Sequence, residues 1–217
     1  MEYKKLALAL TMLSVGCAVV PNNSFAQAEA EHCNMAEHQQ HAMAMPGNDA
    51  KDNTAYTRSI ASYKTPDVKL VDANDKQVSL HDSLDGSGPV MLNFIFTTCT
   101  TICPVMSATF SQVQAKLGSK HSKVRLISVS IDPEHDTPSR LKEYAKRFDA
   151  GSQWSMLTGS IENSIAVQRA FDIYRGDKMN HEPVTFMRKG PDQPWVRING
   201  FITADDLLRE YDKLAAI

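Results

Sequence analysis

The stretch FTTCTTICP, residues 96–104, contains two cysteines, Cys99 and Cys103, with Pro104 directly after the second. It follows a nearly continuous apolar run, residues 90–96, which is typical of a buried strand. Apolar residues at helical spacing come next: Met106, Phe110, Val113 and Leu117. A helix N-terminus carries partial positive charge and unpaired N–H groups, so a thiol placed there ionises more readily. The position of the two cysteines therefore predicts redox or metal chemistry, with a structural disulfide or two buried thiols as the alternative.

The elements around this stretch predict an α/β fold. Upstream, the apolar runs 68–71 and 77–80 flank an Asn74-Asp75 turn and predict a β-hairpin. Downstream, the predicted elements are a helix ending at Gly118, a strand over 124–131, helices over 137–148 and from Ser160, strands over 184–188 and 195–198, and a last helix whose Thr203 and Asp206 resemble a capping box. This order matches a thioredoxin-like fold, with a central mixed β-sheet flanked by helices and an N-terminal β-hairpin extension. Residues 59–217 are predicted to form this single domain.

The first residues have the pattern of a secretory leader. Lys4 and Lys5 precede an apolar run over residues 6–20, and small residues at Ser24 and Ala26 predict a signal peptide over residues 1–26. An uncleaved anchor and a lipoprotein acylated at Cys17 are the alternatives. We therefore expect an exported protein, periplasmic or associated with the membrane through this leader. The net charge of −2 gives no basis for nucleic-acid binding.

Residues 27–58 are predicted to be a disordered segment rich in methionine and histidine. They contain few large aliphatic residues but many soft metal ligands: His32, Cys33, Met35, His38, His41, Met43 and Met45. Thioether, thiolate and imidazole groups suit copper, especially Cu(I). An ordinary linker in which these residues are incidental is the alternative. Without Cys17, three cysteines remain in the exported chain, and this odd number argues against a purely structural disulfide framework.

Four blocks of sequence follow one another across residues 60–217. They are NFIFTTC through Cys103 and Pro104, SIDPEHDTP at residues 130–138, the segment 154–160, and His181 before the penultimate predicted strand. In these blocks the chain resembles the Sco/SenC family of copper-binding, thioredoxin-like proteins. The resemblance implies that Cys99, Cys103 and His181 bind copper. It also implies a part in assembly of the copper centre of cytochrome c oxidase or in thiol redox control.

The chemistry of this ligand set is consistent with the resemblance. Two thiolates and one imidazole form a soft site of low coordination number that holds Cu(I) and can also take Cu(II), with an open position for a partner's ligand. The same cysteines can close as a disulfide and lose the metal. Asp132 and Asp136 have two interpretations, either an acidic turn and helix start or residues that orient His181 or meet a partner. No comparable argument supports the other histidines of the predicted domain: His81, His121 and His135.

The chain departs from the family pattern beside the first cysteine. Thr100 and Thr101 stand where members usually have a proline and an acidic residue, so a rigid turn and a nearby charge are missing. Pro183 resembles the cis-proline that faces the thiols of redox-active thioredoxins, and a trans turn proline is the alternative.

The leading hypothesis is a copper chaperone that delivers copper to a partner such as a cytochrome c oxidase subunit and is kept reduced by a thiol reductant protein. The main alternative is a periplasmic thiol-disulfide oxidoreductase in which Cys99 and Cys103 are the redox-active pair. A thioredoxin-superfamily peroxidase ranks last, because no arginine is adjacent to Cys99 in the sequence. A copper scavenger that acts through residues 27–58 is a further alternative.

Overall fold

The computed structural model describes residues 56–118 and 123–215. The strands within these residues are β1 (Tyr56–Ala61), β2 (Lys69–Asp72), β3 (Gln77–Ser79), β4 (Val90–Ile95), β5 (Arg125–Ser130), β6 (Trp154–Thr158), β7 (Val184–Arg188) and β8 (Trp195–Gly200). The α-helices are α1 (Leu80–Asp85), α2 (Ile102–Leu117), α3 (Pro138–Arg147), α4 (Ile161–Ala170) and α5 (Ala204–Ala215), and a 3-10 helix covers Lys178–Asn180.

The strands form one mixed sheet in the order β1-β8-β7-β4-β5-β6-β2-β3. The strands β4, β5 and β6 run parallel, and all the other pairs are antiparallel. The predicted hairpin is β2 and β3, and it joins the sheet because β2 also pairs with β6. Helices flank this sheet, so the predicted thioredoxin-like α/β class is confirmed.

The central strand β4 explains the apolar run that precedes the cysteines. All six of its residues are buried, because strands pair with it on both sides and its two faces are covered. On one face, the Phe94 ring packs against Phe171 and Phe186. On the other face, Ser128 donates a hydrogen bond of 2.6 Å to Asn93 and accepts one from the indole of Trp154. The strand is therefore fixed in the core, and so is the start of the loop that follows it.

Sheet pairing also determines which loops meet beyond the end of β4. Because β7 runs antiparallel to β4, with Asn93 opposite Thr185, the start of β7 lies next to the end of β4. The segment before Val184, which includes His181, therefore meets the loop after Ile95, which includes Cys99. The topology thus brings together residues that are 82 positions apart in the sequence.

Several elements differ from the sequence-based predictions. The second hairpin strand ends at Ser79 rather than residue 80, because the Ser79 hydroxyl accepts a hydrogen bond from the Asp82 N–H and caps α1. The strand β6 was not predicted, although it is a short parallel strand paired with β5. The strand β1 begins at Tyr56, so its first three residues belong to the segment predicted to be disordered. This edge strand has mostly exposed residues and gave no apolar signal.

The predicted signal peptide, residues 1–26, and the soft ligands of the Met/His-rich segment lie outside the described residues. Among the helices that are described, none combines the length and the apolar character needed to cross a bilayer.

Candidate metal centre

The two cysteines lie where β4 leads into α2. Cys99 is in the connecting loop and Cys103 is in the first turn of the helix. The N–H of Cys103 donates a hydrogen bond to Cys99 Sγ at 3.3 Å, and the N–H of Phe96 donates one to Cys103 Sγ at 3.4 Å. Both side chains are free thiols and both residues are buried. Each sulfur atom therefore accepts a backbone hydrogen bond beside a helix N-terminus, a contact that by itself lowers the pKa of a thiol.

The two thiols nevertheless differ in acidity. Burial by itself raises the pKa of Cys99, but hydrogen bonds from the backbone of Cys103 and Thr101 outweigh it, so the pKa is below its ordinary value of 9.0. Burial raises the pKa of Cys103 well above that value, the hydrogen bond from Phe96 offsets only part of the rise, and the negative charge of Cys99 adds to it. Cys99 is therefore the first of the pair to become a thiolate.

His181 follows the 3-10 helix and faces both sulfur atoms. Its Nε2 lies 3.5 Å from Cys103 Sγ and 4.0 Å from Cys99 Sγ. Its Nδ1 lies 2.9 Å from the carbonyl oxygen of Lys178. A carbonyl oxygen can only accept, so Nδ1 carries the proton and Nε2 presents a lone pair to the sulfur atoms. Burial lowers the pKa of His181, although the hydrogen bond to Lys178 acts in the opposite direction, and this favours the neutral imidazole.

The three candidate ligand atoms form a compact cluster. The sulfur atoms of Cys99 and Cys103 and a ring nitrogen of His181 all lie within 4.8 Å of one another. Within residues 56–118 and 123–215, this is the one group of three or more such side chains with metal-binding spacing. Two thiolates and one imidazole suit Cu(I) and other soft ions, so the donor set fits the copper predicted from the sequence. The structure therefore brings together all three predicted site residues.

The two aspartates of the 130–138 block support the loops of this cluster. Asp136 is fully buried, and its carboxylate accepts hydrogen bonds from the N–H and hydroxyl of Thr97 and from the hydroxyl of Ser130. Asp132 is also buried, and its Oδ2 lies 2.5 Å from the Nζ of Lys178. Asp136 thus holds the loop of Cys99, and Asp132 holds the turn before His181. The sequence left these roles open, and Lys178 was not predicted at all.

The remaining histidines of the predicted domain are not part of the cluster or lie outside the described residues. His135 bonds to Asp132, and His81 lies beside Asp82 and Asp85. His121 is outside the described residues. No described peptide bond is cis, so Pro183 is a trans proline and the cis alternative is wrong.

A sequence model of the SCO1/SenC family matches residues 58–214. Among curated relatives, the "SCO1 protein homolog" of Bacillus subtilis is 38% identical over 105 residues, which are 48% of this chain and 53% of the relative. The "Protein SCO1 homolog 2, mitochondrial" of Arabidopsis thaliana is 33% identical over 39% of this chain and 30% of its own length. The chain spans about half the length of the first of these relatives and less of the second.

Solved structures agree over a larger part of the chain. Arabidopsis thaliana ScoI with copper bound is 26% identical, with a TM-score of 0.58, and the match covers 70% of this chain and 98% of that structure. A SCO1/SenC family lipoprotein from Bacillus anthracis is 22% identical, covers 72% and 97%, and has a TM-score of 0.61, which supports the fold alone. The resemblance predicted from the sequence is confirmed, and the chain belongs to the SCO1/SenC family.

Proposed function

We propose that this protein is a copper chaperone, which binds one copper ion through Cys99, Cys103 and His181 and passes it to an acceptor protein. The observation that supports the proposal most strongly is the distance between the ligand atoms. Two sulfur atoms and one imidazole nitrogen already lie within 4.8 Å of one another, so binding requires only small movements of these side chains. The cargo is a soft ion, and the donor set is the kind that selects Cu(I) in proteins.

The environment of each ligand suits binding that can be reversed. Cys99, whose pKa is lowered, provides the first thiolate, and Cys103 loses its proton when the positively charged ion replaces it. The third ligand, Nε2 of His181, presents a lone pair rather than a proton. Three protein ligands leave an open position on an ion that prefers low coordination numbers, so a ligand of the acceptor can attack before the chaperone ligands leave.

Relatives support copper as the cargo and cytochrome c oxidase as its destination. Copper is bound in the structure of Arabidopsis thaliana ScoI, and BsSco, which is 28% identical with a TM-score of 0.60, is described as a member of the Sco family of cytochrome c oxidase assembly proteins. We therefore propose that the acceptor is a copper-binding subunit of that oxidase. We further propose that the protein works outside the cytoplasm, exported by residues 1–26, where a thiol reductant protein keeps the cysteines reduced.

Copper titration under anaerobic conditions tests binding, and a competition assay tests delivery. The reduced full chain should bind one Cu(I) tightly through the cluster. The loaded protein should then transfer copper to the metal-free copper domain of an oxidase subunit in the presence of a chelator that traps free copper. In the matched control, Cys99→Ser is mixed with the same amount of copper, and the chelator should then prevent transfer. If the chelator blocks transfer, copper reaches the acceptor only as the free ion, and this result would contradict direct delivery by the protein.

A second function, thiol-disulfide exchange, is favoured by the unequal acidity of the two cysteines. A thiolate at Cys99 can attack a substrate disulfide, and Cys103 can then resolve the mixed disulfide. The substrate leaves as two thiols, and Cys99 and Cys103 close as a disulfide, so two electrons move to the substrate. One equivalent of Cu(I) should block this exchange by occupying the thiolates. Rapid exchange that copper inhibits would favour the oxidoreductase, and negligible exchange with stable copper loading would favour the chaperone.

A further inference from the structure

The turn before His181, residues 177–180, is joined to a distant segment of the domain by one side-chain hydrogen bond among the described residues. Asp177 caps the turn by accepting a hydrogen bond from the N–H of Met179, and His181 donates both its backbone N–H and its Nδ1–H to the carbonyl oxygen of Lys178. These contacts are all local. Among the described residues, the pair between Lys178 Nζ and Asp132 Oδ2, at 2.5 Å, is the one side-chain hydrogen bond that joins residues 177–180 to a distant segment.

The partner of Lys178 is itself rigidly held. Asp132 is 4% exposed, its N–H donates to the hydroxyl of Ser130, and its carbonyl oxygen accepts from the N–H groups of His135 and Asp136. Its second carboxylate oxygen lies 3.0 Å from Nδ1 of His135. A buried carboxylate needs a counter-charge, so the ion pair with Lys178 is difficult to replace with water. The turn is therefore attached to a fixed point at the end of β5.

The same lysine lies close both to the His181 imidazole and to the loop that carries the two cysteines. Its Nζ lies 5.7 Å from the centre of the Phe96 ring, and that ring packs against the His181 imidazole in a T-shaped arrangement, with 5.0 Å between the ring centres. The backbone N–H of Phe96 donates to Cys103 Sγ. Lys178 thus contacts the imidazole through its carbonyl oxygen and the thiol loop through an aromatic ring.

We propose that Lys178 is a positioning residue of the metal centre: its ammonium group, fixed by the Asp132 carboxylate, holds the turn so that Nε2 of His181 faces the two sulfur atoms. Mutation of a residue that fixes the orientation of a ligating histidine typically lowers metal affinity by about 10- to 100-fold. The proposal rests on the proposed function for its metal, but the orientation of the imidazole can also be measured without metal.

The first test uses the reduced full chain and the variant Lys178→Met, which keeps the length of the side chain and removes its charge. We expect Cu(II) affinity to fall about tenfold, with a changed thiolate-to-copper absorption band, because the imidazole no longer holds its place. Lys178→Arg should restore affinity to within about threefold of the wild type, because a guanidinium can reach the same carboxylate. Lys189→Met, which removes an exposed charge at the other end of β7, is the control and should match the wild type.

The second test measures the imidazole in the metal-free reduced chain by the nitrogen chemical shifts of His181. The wild type should carry its proton on Nδ1, and Lys178→Met should show a mixture of the two tautomers. Wild-type affinity, absorption band and tautomer in Lys178→Met, with only a lower Tm, would overturn the proposal and leave Lys178 a structural residue. If the wild type binds copper no better than Cys99→Ser, the proposed function fails, and the tautomer measurement alone decides the role of Lys178.

Discussion

The two halves of the proposed metal centre are built in different ways. The thiol half belongs to the core: Cys103 has no exposed surface, Cys99 is 8% exposed, and Asp136 anchors their loop from a fully buried position. The histidine half is a turn at the surface, in which His181 is half-buried and its neighbour Met179 is 70% exposed. Its main tie to the domain is the ion pair of Lys178 with Asp132.

Because of this difference, substitutions in the two halves should affect different properties of the protein, namely folding stability and metal affinity. Changes in the thiol half disturb the packing of β4 and α2 and therefore affect folding as well as metal binding. Changes in the histidine half affect an exposed turn, so they can alter metal binding while the core stays intact. The proposed centre therefore combines two candidate ligands that are fixed by the fold with a third that can be adjusted separately.

The largest expected effect is the loss of either cysteine. Cys99→Ser and Cys103→Ser should each lower copper affinity more than about a hundredfold, beyond the usual cost of losing a residue that only supports a ligand. The thiolate-to-copper absorption band should be weakened or absent in both variants, and metal titration with optical detection measures this. Equal affinity in the wild type and in either serine variant would show that the thiol half is not the copper site.

The next largest effect should come from the histidine half. His181→Ala should lower Cu(II) affinity about a hundredfold and Cu(I) affinity less than about tenfold, because two soft thiolates hold Cu(I) without a nitrogen ligand. Titration with each oxidation state measures the two losses, and His81→Ala is the matched control, since His81 is exposed and lies beside Asp82 and Asp85, away from the cluster. Full Cu(II) binding by His181→Ala would remove this residue from the site.

The two cysteines of the thiol half should also differ in their reactivity toward an alkylating reagent. Because the pKa of Cys99 is below 9.0 and that of Cys103 is well above it, a small alkylating reagent should modify Cys99 at least about tenfold faster at pH 7. The thiolate population grows as pH rises, so the Cys99 rate should increase with a midpoint below pH 9.0, where Cys103 is still protonated. Mass spectrometry of the alkylated peptides identifies the modified residue. Equal rates at the two cysteines would contradict the asymmetry.

A smaller effect is expected from replacing Asp136, which holds the loop that carries Cys99. Asp136→Asn keeps the shape of the side chain but replaces one acceptor oxygen with a donor, beside the N–H of Thr97 and the hydroxyl of Ser130. We expect the free energy of unfolding to fall by about 2 kcal/mol, because a charged acceptor is lost and a buried donor at Thr97 or Ser130 is left without its partner. Urea denaturation of the metal-free reduced protein measures this change, and Asp67→Asn, at an exposed residue, is the control. An unchanged unfolding free energy would show that the anchor is dispensable.

The sequence predicted the thiol half better than the histidine half, and for a physical reason. Cys99 and Cys103 follow a buried strand and begin a helix, so local patterns were enough to identify them. His181 lies 78 residues beyond Cys103 and reaches it only because β7 pairs with β4, so it was identified by family resemblance alone. Lys178 was missed because a charged residue in a polar loop gives no signal until its partner Asp132 is known. The exposed edge strand β1 was missed because it has few buried residues.

The smallest expected effect on the metal centre comes from the Met/His-rich segment. Deleting residues 27–55 leaves β1 intact, because that strand begins at Tyr56. We expect the deletion to lower the number of copper ions bound per chain without changing affinity at Cys99 and Cys103, since methionine and histidine side chains in a segment predicted to be disordered form separate and weaker sites. Anaerobic titration of both proteins with Cu(I) measures the number and the affinity. Identical numbers of bound ions would contradict a metal role for the segment. A changed affinity at the two cysteines would show that the thiol half depends on residues outside the domain, and the contrast between a fixed half and an adjustable half would then be incomplete.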